Sequence, residues 1–122
     1  MGARGPVKSE KTRRRLAAEI RRLLAEILEF EVKDPALREA PPTVMEVVLT
    51  ADAQRATVYV YVDGEAQTRQ AALAALNHDK GYLRTQLARR LHVRRVPELL
   101  FQLDDTLDRA LRLEELFDEH SE

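Results

Sequence analysis

Residues 55–62 read Arg-Ala-Thr-Val-Tyr-Val-Tyr-Val, and this strict alternation constrains the fold more than any other stretch. Ala56, Val58, Val60 and Val62 fall on one side. Arg55, Thr57, Tyr59 and Tyr61 fall on the other. A period of two marks a strand with one buried face. Just upstream, Met45, Val47 and Leu49 alternate against Val44, Glu46, Val48 and Thr50. Only Ala51 to Gln54 separate the two runs, so an antiparallel hairpin is the simplest joint. The tyrosine face reads as a packing or solvent face rather than a base-stacking one.

The flanking segments switch to helical spacing. Leu16, Ile20, Leu23, Leu24, Ile27 and Leu28 predict an amphipathic helix from an N-cap at Ser9 to near Val32. Arg13, Arg14, Arg15, Arg21 and Arg22 lie mostly on its other face, and Asp34-Pro35 closes it. After an Asp63-Gly64 turn, Leu73, Leu76, Leu83, Leu87 and Leu91 mark a second helical stretch over residues 65–91. Gly81 near its midpoint predicts two helices meeting at a kink. Residues 92–104 read as a third strand with Pro97 near its start. Asp105 or Thr106 then caps a last helix carrying Leu107, Ala110, Leu111, Leu116 and Phe117. The expected architecture is α+β: a three-stranded sheet packed by helices, in the order α-β-β-α-α-β, with a C-terminal helix. The strands are expected to be of antiparallel type. Residues 1–8 read as a flexible N-terminal arm, 9–118 as the domain and 119–122 as a short acidic tail.

Charge narrows the function classes. The 122 residues carry 20 Lys and Arg against 21 Asp and Glu, a formal net charge of −1. The near-balance conceals blocks: residues 1–38 are net +4, 39–79 net −4, 80–97 net +6 with no acid, and 98–122 net −7. Basic clusters attract polyanions whatever the net charge. Sixteen of the cations are arginine, whose fork suits phosphate. Without cysteine, disulfides, thiolate metal sites and cysteine nucleophiles are excluded. His78, His92 and His120 have no metal-ligand spacing. The longest apolar run, Ala71 to Leu76, is far too short to span a membrane. No apolar segment follows the basic amino terminus, as a secretory signal requires. The expectation is a soluble, cytoplasmic, monomeric protein without cofactor or membrane contact.

The chemistry points away from catalysis. Asp104, Asp105 and Asp108 fit helix capping better than a magnesium site, and no nucleophile triad or phosphate-loop glycine pattern exists. The acid-free interval does suggest a nucleic-acid contact. Lys80, Gly81 and Arg84 sit at the kink, Arg89 and Arg90 at the helix end, and Arg94 and Arg95 just beyond. A glycine at a helix break admits a phosphate backbone closely. Arg13, Arg14 and Arg15 are auxiliary candidates. Arg89 and Arg90 also suit a helix C-terminus on dipole grounds alone.

Five collinear segments then show a resemblance. Val32-Lys33-Asp34-Pro35-Ala36-Leu37 resembles the E-[IV]-x-D-P-x-L signature of the ribosome-binding factor A family. Ala56 to Val62 resembles its AKVYV strand. Ala75-Leu76-Asn77 with Gly81-Tyr82-Leu83-Arg84 resembles its ALN…GFLR helix. Leu91 to Phe101 resembles LRxVPEL-x-F, and Asp104 to Leu107 resembles D-x-S-[IL]. The matches run from about residue 6 to 118. The resemblance implies a type II KH-like domain with a helix–kink–helix replacing the GxxG loop. It implies a non-enzymatic assembly factor that binds the small (30S) ribosomal subunit and its 16S ribosomal RNA. That role belongs to late maturation and 5′-end processing, and to growth in the cold. Asp79-Lys80-Gly81 stands where the family often has Ala-x-Gly; the acid either weakens phosphate approach or caps the second helix. Ala110 replaces a common family glycine. The rival readings are a generic KH-like module for single-stranded RNA and a protein-interaction adaptor without an RNA role.

Overall fold

The computed structural model describes residues 9–106, 110, 111 and 113–115. The first helix, α1, runs Glu10–Phe30, and Ser9 caps it by accepting the Thr12 N–H at 3.1 Å. Ile20, Leu23, Leu24 and Ile27 are its buried stripe. Asp34-Pro35 does more than close this helix. Asp34 caps a short helix α2 (Pro35–Glu39), its carboxylate accepting the Ala36 N–H at 3.1 Å, with Pro35 at the first helical position. An acidic cap followed by proline is a start signal as well as a stop.

The hairpin forms from β1 (Thr43–Leu49) and β2 (Arg55–Tyr61). On β2 the expected set Ala56, Val58 and Val60 is buried, with Val62 just beyond. On β1 the inward residues are Val44 and Val47, not a Met45–Val47–Leu49 series. The register shifts between Val44 and Glu46, and this bulge changes the phase of alternation.

The stretch 65–91 is two helices, α3 (Ala66–His78) and α4 (Lys80–Arg90). The break falls at Asp79, while Gly81 lies inside the first turn of α4. Strand β3 (Glu98–Leu103) starts after an irregular loop over residues 91–97. It pairs parallel to β2, in the sheet order β1-β2-β3, which corrects the antiparallel expectation. The α3–α4 segment carries the chain back across the sheet, and such a crossover returns the next strand in the same direction.

The helices cover one sheet face, joining Leu76, Leu83, Leu87 and Phe101 to the α1 stripe in one core. On the other face, Val48, Thr57 and Leu100 form a cross-strand row, with Val48 and Leu100 exposed. Thr106, Ala110, Leu111 and residues 113–115 are helical, as expected for a last helix. Its Leu107, Leu116 and Phe117, the arm 1–8 and the tail 119–122 lie outside the described residues.

Candidate nucleic-acid interface

Each basic candidate has a distinct environment. Lys80 begins α4 and is exposed; Arg89 ends the exposed side of the same helix. Arg94 and Arg95 are exposed in the 91–97 loop. None of these four has a described ion-pair partner. Together they form a run of solvated cations with no acid between them in sequence, though Asp79 and Glu98 flank the run.

Arg84 and Arg90 are different. Arg84 is half-buried, and its Nη2 donates to the Val96 carbonyl at 2.7 Å, holding the 91–97 loop to α4. Arg90 donates from Nη1 to the Gln86 carbonyl at 2.8 Å and to Gln86 Oε1 at 3.1 Å. Its Nη2 pairs with Glu31, the C-cap residue of α1, and both side chains are about two-thirds buried. Both arginines are therefore anchored in the fold, Arg84 through a single donor and Arg90 through both terminal nitrogens.

Gly81 faces open space. A Cβ built there meets nothing within 4 Å, so packing does not demand glycine at this position. Asp79 occupies the N-cap position of α4, but its side chain makes no cap bond. Its carboxylate instead lies 3.1 Å from His78 Nδ1. Of the two roles open to this acid, side-chain capping is not the one adopted.

The α1 arginines lie elsewhere. Arg14 pairs with Glu10 at 2.6 Å, Arg13 is half-buried and engaged, and Arg15 is exposed. The Arg90–Glu31 pair fixes the end of α4 at the opposite end of α1. At 1.5 Å per residue that places Arg14 roughly 25 Å away along the helix. Arg14 therefore lies far from Arg90 and the end of α4.

Two contributors carried no assigned role in the sequence reading. Arg55, at the start of β2, lines a cleft with Arg84 and Arg95. Asn77 binds β3 with its side-chain amide. A polar residue of weak helix propensity between Leu76 and the break was the available signal for Asn77. Among the described residues there is no carboxylate–histidine group able to hold a metal, and no helix long and apolar enough to cross a membrane.

A helix leading into a hairpin, then a helix–break–helix crossover into a strand parallel to the hairpin's second strand, defines a type II KH-like domain. The break carries no GxxG loop. The ribosome-binding factor A family model matches residues 12–117, and the chain belongs to that family. Ribosome-binding factor A of Halorhodospira halophila is 45% identical over 107 residues, covering 87% of this chain and 83% of that protein. The crystal structure of ribosome-binding factor A from Thermus thermophilus aligns with a TM-score of 0.66 at 35% identity, over 75% of this chain and 93% of that one. A homology model of the Thermus factor, fitted into a cryo-EM map of a 30S complex with it, aligns with a TM-score of 0.60. It is 34% identical and covers 72% of this chain and 90% of that one.

Proposed function

We propose that this chain is a ribosome assembly factor that binds the small ribosomal subunit through its 16S ribosomal RNA. It acts by occupancy, without catalysis, during late maturation and 5′-end processing. The carrying observation is the set of exposed cations at Lys80, Arg89, Arg94 and Arg95, without an ion-pair partner among the described residues, along α4 and the loop after it, with Gly81 in the first turn of α4 facing open space. Such a surface suits phosphate contacts, which position a protein on RNA without reading sequence. The fit of a Thermus relative into a 30S complex supports the same partner.

The single-stranded RNA reading is less well supported. Base readout by a KH-like strand edge needs free backbone groups, and Asn77 already occupies those of Phe101. The test is co-sedimentation with isolated small subunits, large subunits and intact ribosomes at two salt concentrations. Salt-sensitive binding to small subunits alone is expected, and a Lys80→Gln/Arg89→Gln/Arg94→Gln variant should bind weakly with a flatter salt dependence. Equal binding to all particles would overturn the assignment. The non-catalytic part is checked by incubating precursor 16S RNA with purified protein and Mg²⁺; any new 5′ end would refute it.

A further inference from the structure

A second cationic feature lies at the start of strands β2 and β3. Gln54, Arg55, Arg84, Arg95 and Glu98 line a cleft of about 310 Å³. Arg55 opens β2 and Glu98 opens β3, and the two are register partners across the parallel pair. Arg84 reaches the cleft from α4, and Arg95 from the loop before β3. The fold thus gathers three guanidiniums from three separate segments, against one carboxylate.

Glu98 offsets only part of this positive charge. No ion pair joins Arg55, Arg84 or Arg95 to Glu98 or to any other described residue. Three arginines elsewhere are paired: Arg14 with Glu10, Arg22 with Glu19 and Glu26, and Arg90 with Glu31. An excess of positive charge in a cleft attracts an anion. The cleft is also partly organised in advance. Arg84 is anchored by its bond to the Val96 carbonyl, and a guanidinium has five donors, so others remain for a ligand. Planar forks of this kind match phosphate oxygens.

We propose that this cleft binds a backbone phosphodiester of RNA, with Arg55 as its distinguishing ligand and Arg84 and Arg95 completing it. The inference rests on the RNA-binding reading and extends the contact surface from the α3–α4 break to the start of β2. It adds affinity rather than sequence preference, because it reads charge and not base edges.

Arg55→Gln and Arg89→Gln are compared for small-subunit binding across a salt series. Thermal melts confirm that both variants fold. Arg55→Gln is expected to weaken binding by roughly fivefold at low salt and to lower the log–log salt slope by about one unit. Arg55→Lys should keep the slope while recovering only part of the affinity. If Arg55→Gln binds like the parent while Arg89→Gln is weakened, the cleft proposal fails and the RNA reading stands. If the parent itself shows no small-subunit preference, the RNA reading fails with it. Inorganic phosphate is titrated in parallel and followed at the arginine Nε signals by NMR. Saturation of Arg55 and Arg95 by phosphate, together with unchanged subunit binding by Arg55→Gln, would make this a small-anion site and overturn the polymer assignment.

Discussion

Asn77 on α3 bonds the backbone of Phe101 on β3 in both directions. Its Oδ1 accepts the Phe101 N–H at 3.3 Å, and its Nδ2 donates to the Phe101 carbonyl at 3.5 Å. The N–H groups of Glu98 and Asp104 point the other way, to Gln54 and Val60. Phe101 therefore presents its polar groups on the free side of β3, where one side chain stands in for the missing strand. Exposed edges invite unwanted pairing, and covering them is a recurrent remedy.

Asn77→Ala should therefore destabilise the protein by about 1 kcal/mol. Two long hydrogen bonds are lost, and alanine's better helix propensity offsets part of the cost. Denaturant melts read the loss. Hydrogen exchange at the Phe101 amide reads its location, and that amide should exchange much faster in the variant. Unchanged exchange would show that the clasp does not protect the edge.

The Arg90–Glu31 pair joins the ends of α4 and α1, so its effect should appear in stability rather than in RNA affinity. Arg90→Met is expected to cost about 1–2 kcal/mol, because it strips a charge-assisted bond from a mostly buried carboxylate. Glu31 Oε2 has no hydrogen-bond partner among the described residues, so this carboxylate depends heavily on Arg90. A double-mutant cycle with Glu31→Gln should return a coupling near that value. Additive effects would show the pair to be incidental. Small-subunit binding by folded Arg90→Met should match the parent, in contrast to Arg89→Gln.

These residues mark what could be read from the sequence. The β2 alternation, the α1 stripe and the two-helix crossover were legible because each is a local period in apolar residues. The β1 phase was not, because a bulge at Met45 shifts register without leaving a composition signal. The direction of β3 was hidden for a different reason. Alternation defines a strand's faces but not its partner, and the crossover decides that. Within the basic interval, charge alone could not separate Arg89 from Arg90. One is solvated and the other meets Glu31, which lies 59 residues earlier in the chain.

Arg84 should behave as a positioning residue for the 91–97 loop as well as a cleft ligand. Arg84→Ala removes the bond to the Val96 carbonyl and leaves that acceptor without its partner. The loop carrying Arg94 and Arg95 should loosen, and small-subunit affinity should fall further than in Arg89→Ala. Hydrogen exchange over residues 91–97 separates the two roles. Faster exchange with a salt slope reduced by more than one unit is expected. A one-unit reduction with unchanged loop exchange would leave Arg84 as a simple phosphate contact.

Gly81→Ala sets stability against binding at a single position. Glycine in a helix interior costs up to about 1 kcal/mol relative to alanine, and less in a first turn, where Gly81 stands. The added methyl meets no protein atom within 4 Å, so nothing in the fold resists it. The variant should melt at the same temperature or a few degrees higher. The fold keeps a glycine that its own packing does not require, and close approach of an outside backbone would require it. Small-subunit binding by Gly81→Ala should therefore weaken by several-fold with no loss of stability. Unaltered affinity in a variant of equal or greater stability would remove Gly81 from the contact and shift the interface to the arginines alone.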